Sequence, residues 1–337
     1  MPTRPNAFRA SVTIFAAVLA ACAPEDRNAS PASDTAGNVR GTASPDSGSQ
    51  PVTEIMAPDG PESVRYDPAQ DAYLISTVGG YGSTRDNNGA ILRVDAGDVS
   101  RVLTLAKGGK NGVTLDAPKG LALHGDTLWV ADIDVLRAFD RRNGAPLATV
   151  DFRPLHAVQL NDVAIGPDGN IYVTDTGIDM TEWGVIHRGG DRIYSVGPGR
   201  AISAIGKVGP ITFPNGLTWD ARNGRWLVVT FDPFESKLYA LGRNDSTPTL
   251  LASGKGRFDG VEVLDDGRIL VTAWNDSSVH AITPDGDARI VRDLTDPADL
   301  GVDTRRGVMA VPLLTMGKVQ LWTLPGRRPA PARLATR

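Results

Sequence analysis

The chain has 337 residues, of which 41% are hydrophobic, so it is long enough to bury a sizeable core. Its 37 glycines and 24 prolines suit a β protein with many turns. A formal net charge of −4, with no basic stripe interleaved with aromatic residues, argues against a nucleic-acid-binding surface.

The N-terminal segment has the pattern of an export signal and not of a folded element. Arg4 and Arg9 precede an apolar stretch, residues 10–20, that is too short to span a bilayer as a mature helix. The stretch ends at Leu19-Ala20-Ala21-Cys22, which resembles the bacterial lipobox, where cleavage precedes a cysteine that becomes lipidated. We therefore predict a lipoprotein signal peptide over residues 1–21 and lipidation of Cys22. The alternative is a plain secretory signal with an incidental cysteine.

The composition after the signal predicts a tether. Cys22 is the only cysteine, so no thiol remains for a disulfide, a catalytic nucleophile or a thiolate metal site. Residues 22–50 are rich in small and polar residues and are expected to be disordered. The expected location is the bacterial cell envelope, with the membrane reached through the lipid anchor. Because Ala23 follows the cysteine where an Asp would mark inner-membrane retention, the outer membrane is expected if the organism has two.

Six segments of the remaining chain begin alike, with a polar residue ahead of a short apolar run. The opening residues lie 40 to 57 residues apart, close to the period of propeller blades. In the third segment a short strand at 163–165 precedes the turn Pro167-Asp168-Gly169 and a β-branched and aromatic strand at 171–174. The six opening residues are Glu62, Lys119, Asn161, Asn215, Asp259 and Asp299.

Each segment therefore reads as a meander of about four strands, which is one propeller blade. The sixth segment lacks a last strand, whereas an extra strand-like stretch, 52–56, precedes the first one. We predict an all-β, six-bladed β-propeller over residues 51–325, with blade six closed by the N-terminal strand so that no sheet edge stays open. Residues 326–337 are expected to be a disordered basic tail. A stacked β-solenoid is the alternative, but it gives no reason for a polar residue at the start of each segment.

Two linkers between second and third strands are long, residues 78–89 and 175–191. In an up-and-down blade these linkers lie on the same face as the six opening residues, so they are expected to wall a pocket over the central channel. From the second linker, Glu182, Trp183 and His187 are predicted to contact a substrate. An ordinary surface insertion is the alternative.

Four of the six opening residues carry oxygen ligands: Glu62, Asn161, Asn215 and Asp259. Two carboxylates and two amide carbonyls suit a hard cation, Ca²⁺ above all, with Mg²⁺ or Mn²⁺ possible, and they suit Zn²⁺ poorly. Any one of these residues alone is weak evidence, since Asn-Gly, Asn-Asp and Asp-Gly are common turn dipeptides. Their shared register in the repeat is what predicts a divalent-cation site with open positions for water or substrate.

Lys119 and Asp299 complete the ring on either side of Glu62. Lys119 could stabilise a developing oxyanion and Asp299 could contact a substrate, whereas a charge pair between the two is the alternative reading. Asp162, next to Asn161, could hold a second and deeper ion. Other chemistries lack their motifs, since there is no Gly-x-Ser-x-Gly elbow, phosphate-cradling glycine loop or His-Glu-x-x-His.

The ring residues and their flanks resemble the senescence-marker-protein (regucalcin)/gluconolactonase family of six-bladed propellers. The resemblance covers about residues 58–325 and rests on four motifs in chain order, Pro61-Glu62-Ser63-Val64, Leu160-Asn161-Asp162, Pro214-Asn215-Gly216-Leu217 and Phe258-Asp259-Gly260-Val261. It implies that Glu62, Asn161, Asn215 and Asp259 bind the catalytic divalent cation and that Asp259 is also general base or nucleophile. Members that act on sugar lactones carry an Arg where this chain has Gln159, a residue we expect to contact the substrate.

The expected function is therefore hydrolysis of a lactone or related ester by a metal-dependent enzyme that acts as a monomer on a small molecule. The alternative is a non-catalytic propeller at the cell envelope that binds a ligand or a protein. A phosphotriester hydrolase using the same ion is a third reading, because related propellers share one scaffold among different substrates.

Overall fold

Strands make up most of the described chain and form six four-stranded antiparallel sheets. The computed structural model describes residues 48–205, 211–243, 245 and 247–326. The predicted signal peptide, Cys22, almost all of the predicted tether and nearly all of the tail lie outside these residues.

Each sheet is one blade, and β1 (Pro51–Met56) precedes them all. Blade one consists of β2 (Pro61–Asp67), β3 (Ala72–Thr77), β4 (Ala90–Asp95) and β5 (Val102–Lys107). Blade two consists of β6 (Pro118–His124), β7 (Thr127–Asp132), β8 (Val135–Asp140) and β9 (Pro146–Asp151). Blade three contains β10 (Leu160–Ile165), β11 (Ile171–Asp175), then the separate hairpin of β12 (Ile178–Thr181) and β13 (Gly184–His187), and then β14 (Arg192–Val196) and β15 (Ile202–Ala204).

The remaining blades repeat this order. Blade four consists of β16 (Pro214–Asp220), β17 (Arg225–Thr230), β18 (Ser236–Gly242) and β19 (Thr249–Gly254). Blade five consists of β20 (Phe258–Val263), β21 (Ile269–Ala273), β22 (Ser278–Thr283) and β23 (Gly286–Val291). Blade six consists of β24 (Gly301–Asp303), β25 (Val308–Leu313), β26 (Lys318–Thr323) and, outermost, β1. The first strands of blades one to five contact one another in series, and the first strand of blade six contacts that of blade one. The six-bladed propeller predicted from the repeat is therefore confirmed, and the solenoid is not formed.

The predicted closure by the N-terminal strand is also confirmed. β1 pairs antiparallel with β26, with Glu54 opposite Gln320 and Met56 opposite Lys318. Ser49 and Gln50 fall within the predicted tether, yet both are bonded to the propeller: Ser49 donates its backbone N–H to the carbonyl of Ile290 at 3.2 Å. Thr323 likewise donates to the carbonyl of Gln50 at 2.9 Å.

The core lies between the blades. Six buried apolar clusters each join two neighbouring blades, as in the cluster that packs Tyr73 and Val94 of blade one against Ala310 and Leu321 of blade six. A second strand is covered on both faces, which is why all six residues of β3 are buried and the strand is apolar nearly throughout. Stacking of blades therefore supplies the burial that a single sheet could not.

Helical structure in the described chain is limited to short turns. Three 3₁₀ turns occur at Arg153–Leu155, Pro198–Arg200 and Leu314–Met316. No helix among the described residues has the length and hydropathy needed to cross a bilayer.

Candidate active site

The predicted ring residues lie at β-bulges in the innermost strands. The pairing register shifts between Pro61 and Ser63 in β2, around Glu62, and between Phe258 and Val261 in β20, around Asp259. The same irregularity occurs in β6, β10 and β16 at Lys119, Asn161 and Asn215. A bulge interrupts the alternation of side chains and re-aims one of them. Five inner strands therefore turn a polar residue toward the channel by the same local device.

Glycines after the ring residues let the inner strands approach closely. A Cβ on Gly216 would collide with the backbone carbonyl of Asp259, and one on Gly260 would lie 2.6 Å from the backbone nitrogen of Leu300. Real Cβ atoms essentially never come that near to backbone, so only glycine fits at these two positions. The Asn-Gly and Asp-Gly pairs of the motifs thus supply both a ligand and the space that brings ligands together.

Glu62, Asn161, Asn215 and Asp259 form one set, which we call the ligand set, at the floor of a cavity of about 340 Å³. All four are buried, and each has one side-chain oxygen without a hydrogen-bond partner among the described residues, namely Glu62 Oε2, Asn161 Oδ1, Asn215 Oδ1 and Asp259 Oδ1. Buried oxygens without partners are rare in folded proteins because each costs about 1–3 kcal/mol. Four such oxygens around one cavity fit a hard cation as the missing partner.

The ligand set is a mixed one. No three His, Cys, Asp or Glu side chains come together as a metal cluster within the described ranges. The ligand set does not require such a cluster, because two of its four ligands are amide oxygens of Asn side chains. That choice of donors excludes a soft or thiolate-bound metal and keeps a hard, oxygen-seeking cation.

The two carboxyls of the ligand set are held in an unfavourable environment. Burial raises the pKa of Glu62 well above its usual range, the Lys119 ammonium opposes this, and Asp259 and Asp299 add to it. Burial, reinforced by Asp299, raises the pKa of Asp259 to about 8, while Lys119 and the indole of Trp274 act in the opposite direction. A buried cation between the two carboxyls would reverse both shifts, because an opposite charge favours the ionised form.

Lys119 and Asp299 are placed differently, and they do not pair with each other. Lys119 lies on the cavity floor and makes no ion pair with any carboxylate of the described chain. Asp299 lies beneath the floor, where it accepts a hydrogen bond from Ser63 Oγ at 2.6 Å and pairs with Arg65 at 2.9 Å. The cavity does not expose Asp299, so direct contact with a substrate is not what its position supports.

Arg65 is a channel residue that sequence reasoning missed. Its guanidinium lies between Asp162, at 3.2 Å, and Asp299, at 2.9 Å, and also donates to the carbonyl of Leu300 at 2.9 Å. We call Arg65, Asp162 and Asp299 the lower layer. A deeper ion at Asp162 is not what the structure supports. Arg65 already supplies the positive charge, and backbone N–H groups of Val163 and Leu217 occupy both carboxylate oxygens at 2.7 Å.

Above the ligand set stands a second ring, formed by the first residue after each of five second strands. This upper ring consists of Val78, Thr176, Phe231, Trp274 and Leu314, all of which line the cavity. In the remaining blade the same position is Ile133, which packs against Val78 and Ala117 instead. The sequence did carry a signal for this ring, namely the fixed place of its members in the repeat. Trp274 also has a buried indole N–H, which is directed at Asp259.

The two long linkers cover the cavity, as predicted, but through other residues. Ser83 and Met180 hold the linkers together, since Ser83 N–H donates to the Met180 carbonyl at 2.9 Å and Met180 N–H donates to Ser83 Oγ at 2.8 Å. Gln159 lines the cavity, but its amide donates to the carbonyl of Gly82 at 2.5 Å. Its side chain therefore positions the first linker over Lys119 and Met180, both of which lie close to Gly82.

Glu182, Trp183 and His187, which were expected to contact a substrate, lie away from the cavity. Glu182 and Trp183 form the two-residue turn between β12 and β13, and the Trp183 side chain is 87% exposed. His187 Nε2 lies 3.0 Å from Asp191 Oδ1, and its ring stacks on Phe213 at 4.0 Å. The linker folds as a hairpin with its tip in solvent, so its base, at Ile178 and Met180, reaches the cavity instead.

The fold and the site together define a class of protein: a six-bladed propeller in which side-chain oxygens without hydrogen-bond partners line a cavity over the central channel. The chain is a member of the SMP-30/gluconolactonase/LRE-like family, whose model matches residues 61–298. The resemblance drawn from the four motifs is thereby confirmed.

Solved structures show the same fold at low identity. A candidate gluconolactonase aligns with 17% identity and a TM-score of 0.54, covering 82% of this chain and 91% of that one. A luciferin-regenerating enzyme aligns with 12% identity and a TM-score of 0.55, over 83% and 98% of the two chains. Virginiamycin B lyase from Staphylococcus aureus aligns with 11% identity and a TM-score of 0.54, over 81% and 98%. No curated protein matches the sequence.

Proposed function

We propose that this protein is a divalent-cation-dependent hydrolase of a lactone or related ester. The observation that carries the proposal is the ligand set, whose four buried oxygens lack partners at the floor of a covered cavity. The family supports the same reaction class, since its name includes a gluconolactonase and so does one of the similar structures. Ca²⁺ suits the donors best, with Mg²⁺ or Mn²⁺ as alternatives.

When bound, the cation would polarise the substrate carbonyl as a Lewis acid. We assign the proton-accepting role to Asp259, because its carboxylate lines the cavity and the family resemblance implies a general base or nucleophile at this position. In the simplest route, Asp259 takes the proton of a water whose oxygen attacks the carbonyl carbon. The ring C–O bond then breaks, and the departing oxygen takes up a proton to give the hydroxy acid. Direct attack by Asp259 on the carbonyl is the alternative use of the same carboxylate.

Two further groups complete the polar floor. The Lys119 ammonium is buried on the cavity floor near Glu62, where it can stabilise an oxyanion that forms nearby. The indole N–H of Trp274, in the upper ring, is directed at Asp259, and this hydrogen bonding lowers the pKa of that carboxyl. It is thus a second donor beside the place where a substrate oxygen would react. Neither group requires rearrangement of the strands that carry it.

The test combines metal analysis with a substrate panel. The full chain carrying Cys22→Ser, which prevents lipidation, is dialysed with and without a chelator, and bound metal is counted by elemental analysis. Hydrolysis of sugar, alkyl and acyl-homoserine lactones and of a phosphotriester is then measured. We expect about one divalent cation per chain and lactone turnover that the chelator removes and the cation restores.

Asp259→Asn should lower kcat for lactones at least a hundredfold, the usual order for loss of a general base. Asp285→Asn, at an exposed turn of blade five, is the matched control and should leave kcat unchanged. Turnover that survives both the chelator and Asp259→Asn would remove the cation and Asp259 from the mechanism. Metal binding without hydrolysis of any substrate would favour the non-catalytic binding propeller.

We also propose that the mature protein is a monomer held at the cell envelope by a lipid on Cys22. The support is the lipobox-like sequence around the only cysteine of the chain. In cells, the wild-type chain should partition into detergent and Cys22→Ser into the aqueous phase, and light scattering should give the monomer mass. Equal partitioning of the two proteins would refute the anchor.

A further inference from the structure

We infer that the substrate carries a compact apolar substituent and is not a polyhydroxylated sugar lactone. The inference deepens the proposed hydrolase function and rests on the same cavity. It follows from which side chains surround the space above the ligand set and from how few polar groups remain free there.

The walls of the cavity are apolar. Four of the five upper-ring residues are Val78, Phe231, Trp274 and Leu314. Above them the two linkers add Tyr81, Ile178 and Met180. The position of each upper-ring residue is fixed by the fold, because each one directly follows the second strand of its blade.

Several polar groups near the cavity are already used by the protein. The hydroxyl of Thr176, which is in the upper ring, donates to the carbonyl of Pro214 at 2.7 Å. The amide of Gln159 donates to the carbonyl of Gly82 at 2.5 Å. The side chains at the outer rim, Asp59 and Thr315, are exposed. Apart from the indole N–H of Trp274, which is directed at Asp259, and the hydroxyl of the half-exposed Tyr81, the free side-chain polar groups are therefore concentrated at the floor, where a carbonyl would react.

This distribution selects against hydroxyl groups on the substituent. A hydroxyl that is buried against the walls without a partner loses on the order of tenfold or more in affinity. A methylene group in the same place gains about fourfold, the equivalent of about 0.8 kcal/mol of buried hydrocarbon. A cavity of about 340 Å³ is at the small end for ligand sites, so the gain should stop after a few carbons.

The experiment compares lactones of one ring size with the full chain carrying Cys22→Ser and added Ca²⁺. Glucono-δ-lactone is set against unsubstituted, propyl- and pentyl-substituted δ-lactones, with spontaneous hydrolysis subtracted. We expect kcat/KM to rise about fourfold per methylene over the first carbons and to exceed that of the sugar lactone. A sugar lactone that is preferred, or a series that is flat, would overturn the inference while leaving the hydrolase function intact.

If no lactone is hydrolysed, the inference is tested by measuring the binding of analogues that cannot be hydrolysed. The corresponding δ-lactams keep the ring shape and resist hydrolysis, so their Kd can be measured by calorimetry. Tightening of Kd with alkyl length supports the apolar site even if the hydrolase function fails. Equal or absent binding across the series overturns the inference on its own.

A matched pair of variants locates the effect. Met180→Gln places a polar group of similar size in the cavity wall, whereas Met316→Gln makes the same change at a half-exposed position outside it. In Met180→Gln the ratio of kcat/KM for the pentyl lactone to that for the unsubstituted one should fall about tenfold. Met316→Gln should keep both the ratio and the activity. An unchanged ratio in Met180→Gln would contradict a role of this wall in specificity.

Discussion

The channel holds two layers of polar side chains. They differ in how far the protein itself supplies hydrogen-bond and ion-pair partners for their oxygens. In the lower layer, Arg65 and backbone N–H groups occupy both oxygens of Asp162, whereas Arg65 and Ser63 occupy Oδ2 of Asp299 and leave its Oδ1 without a partner. In the ligand set, an oxygen of every member is left without a partner. Both layers are buried to a similar degree, so burial alone does not mark the functional one. What distinguishes the ligand set is that every member leaves an oxygen without a partner, whereas in the lower layer only Asp299 Oδ1 does so among the described residues.

The largest effect should follow from Arg65→Met, which removes the only cation of the lower layer. Asp162 and Asp299 would then be buried without their counter-charge, a change that costs about 3–5 kcal/mol when one partner of a buried pair is lost. Denaturant unfolding measures the difference. Arg65→Lys should recover part of the stability, and a full loss in Arg65→Lys would show that the paired guanidinium geometry matters more than the charge.

In the ligand set, removal of a charged group should change the free energy of unfolding in the opposite direction. For metal-free protein, Glu62→Gln should raise the free energy of unfolding by about 1 kcal/mol, because it removes a buried carboxyl that the fold leaves unpaired. With Ca²⁺ present the variant should instead be less stable than the parent protein, since a ligand is lost. Thermal unfolding with chelator and with Ca²⁺ gives both signs, and destabilisation in both conditions would contradict the contrast.

The pH dependence sharpens the same contrast. In metal-free protein the folded pKa of Asp259, about 8, is above its unfolded value, so the folded state binds more protons between the two pKa values. Stability should therefore increase as pH falls from 8 to 6, by on the order of 2 kcal/mol. Asp259→Asn should reduce the slope over this range, and the slope that remains should come from other buried carboxyls whose pKa is raised, Glu62 among them. The measurement is denaturant unfolding of the chelated protein at each pH. Stability that decreases as the pH is lowered from 8 to 6 would refute the assignment.

Gly216→Ala should loosen the ligand set without changing any ligand. The new Cβ meets the backbone of Asp259, so β16 and β20 must separate, at a cost of about 1–3 kcal/mol. Ca²⁺ affinity should fall at the same time, as titration calorimetry would show. Gly224→Ala, with nothing within 4 Å of its Cβ but a φ of +64°, is the control for backbone strain without crowding and should leave Ca²⁺ affinity intact.

The smallest effect is expected for an exposed charge. Glu54 on β1 accepts a hydrogen bond from Lys318 at 2.8 Å, and this contact lowers its pKa. Glu54→Gln should cost less than about 1 kcal/mol, because solvent screens exposed ion pairs. A cost as large as that of Arg65→Met would mean that burial is not what makes the lower layer important.

The fold and the ligand set could be predicted because both repeat along the chain. Six recurrences of one pattern give the blades, and the shared register of Glu62, Asn161, Asn215 and Asp259 gives the ring. Arg65 could not be found in this way. Simple alternation would put residues 62, 64 and 66 on one side of β2, whereas the bulge at Glu62 shifts the alternation and turns Arg65 inward.

The covering linkers were predictable in place but not in detail. Their length and position after second strands identified the face that they cover. Nothing in the local pattern showed that residues 178–187 pair as a hairpin, which carries Glu182 and Trp183 outward to its tip. Trp274 and Phe231 were within reach of sequence reasoning, because both occupy the same place in the repeat as Val78.

The pairing of β1 with β26 constrains when the molecule can assemble. Glu54 and Lys318 are partners across 264 positions of sequence, so the last blade cannot form until nearly the whole chain is available. Contacts between residues so far apart in sequence form late and slow the folding of the whole chain. A nascent chain would therefore hold five finished blades and one unpaired edge. Truncation before β26 should yield an aggregation-prone product instead of a smaller propeller.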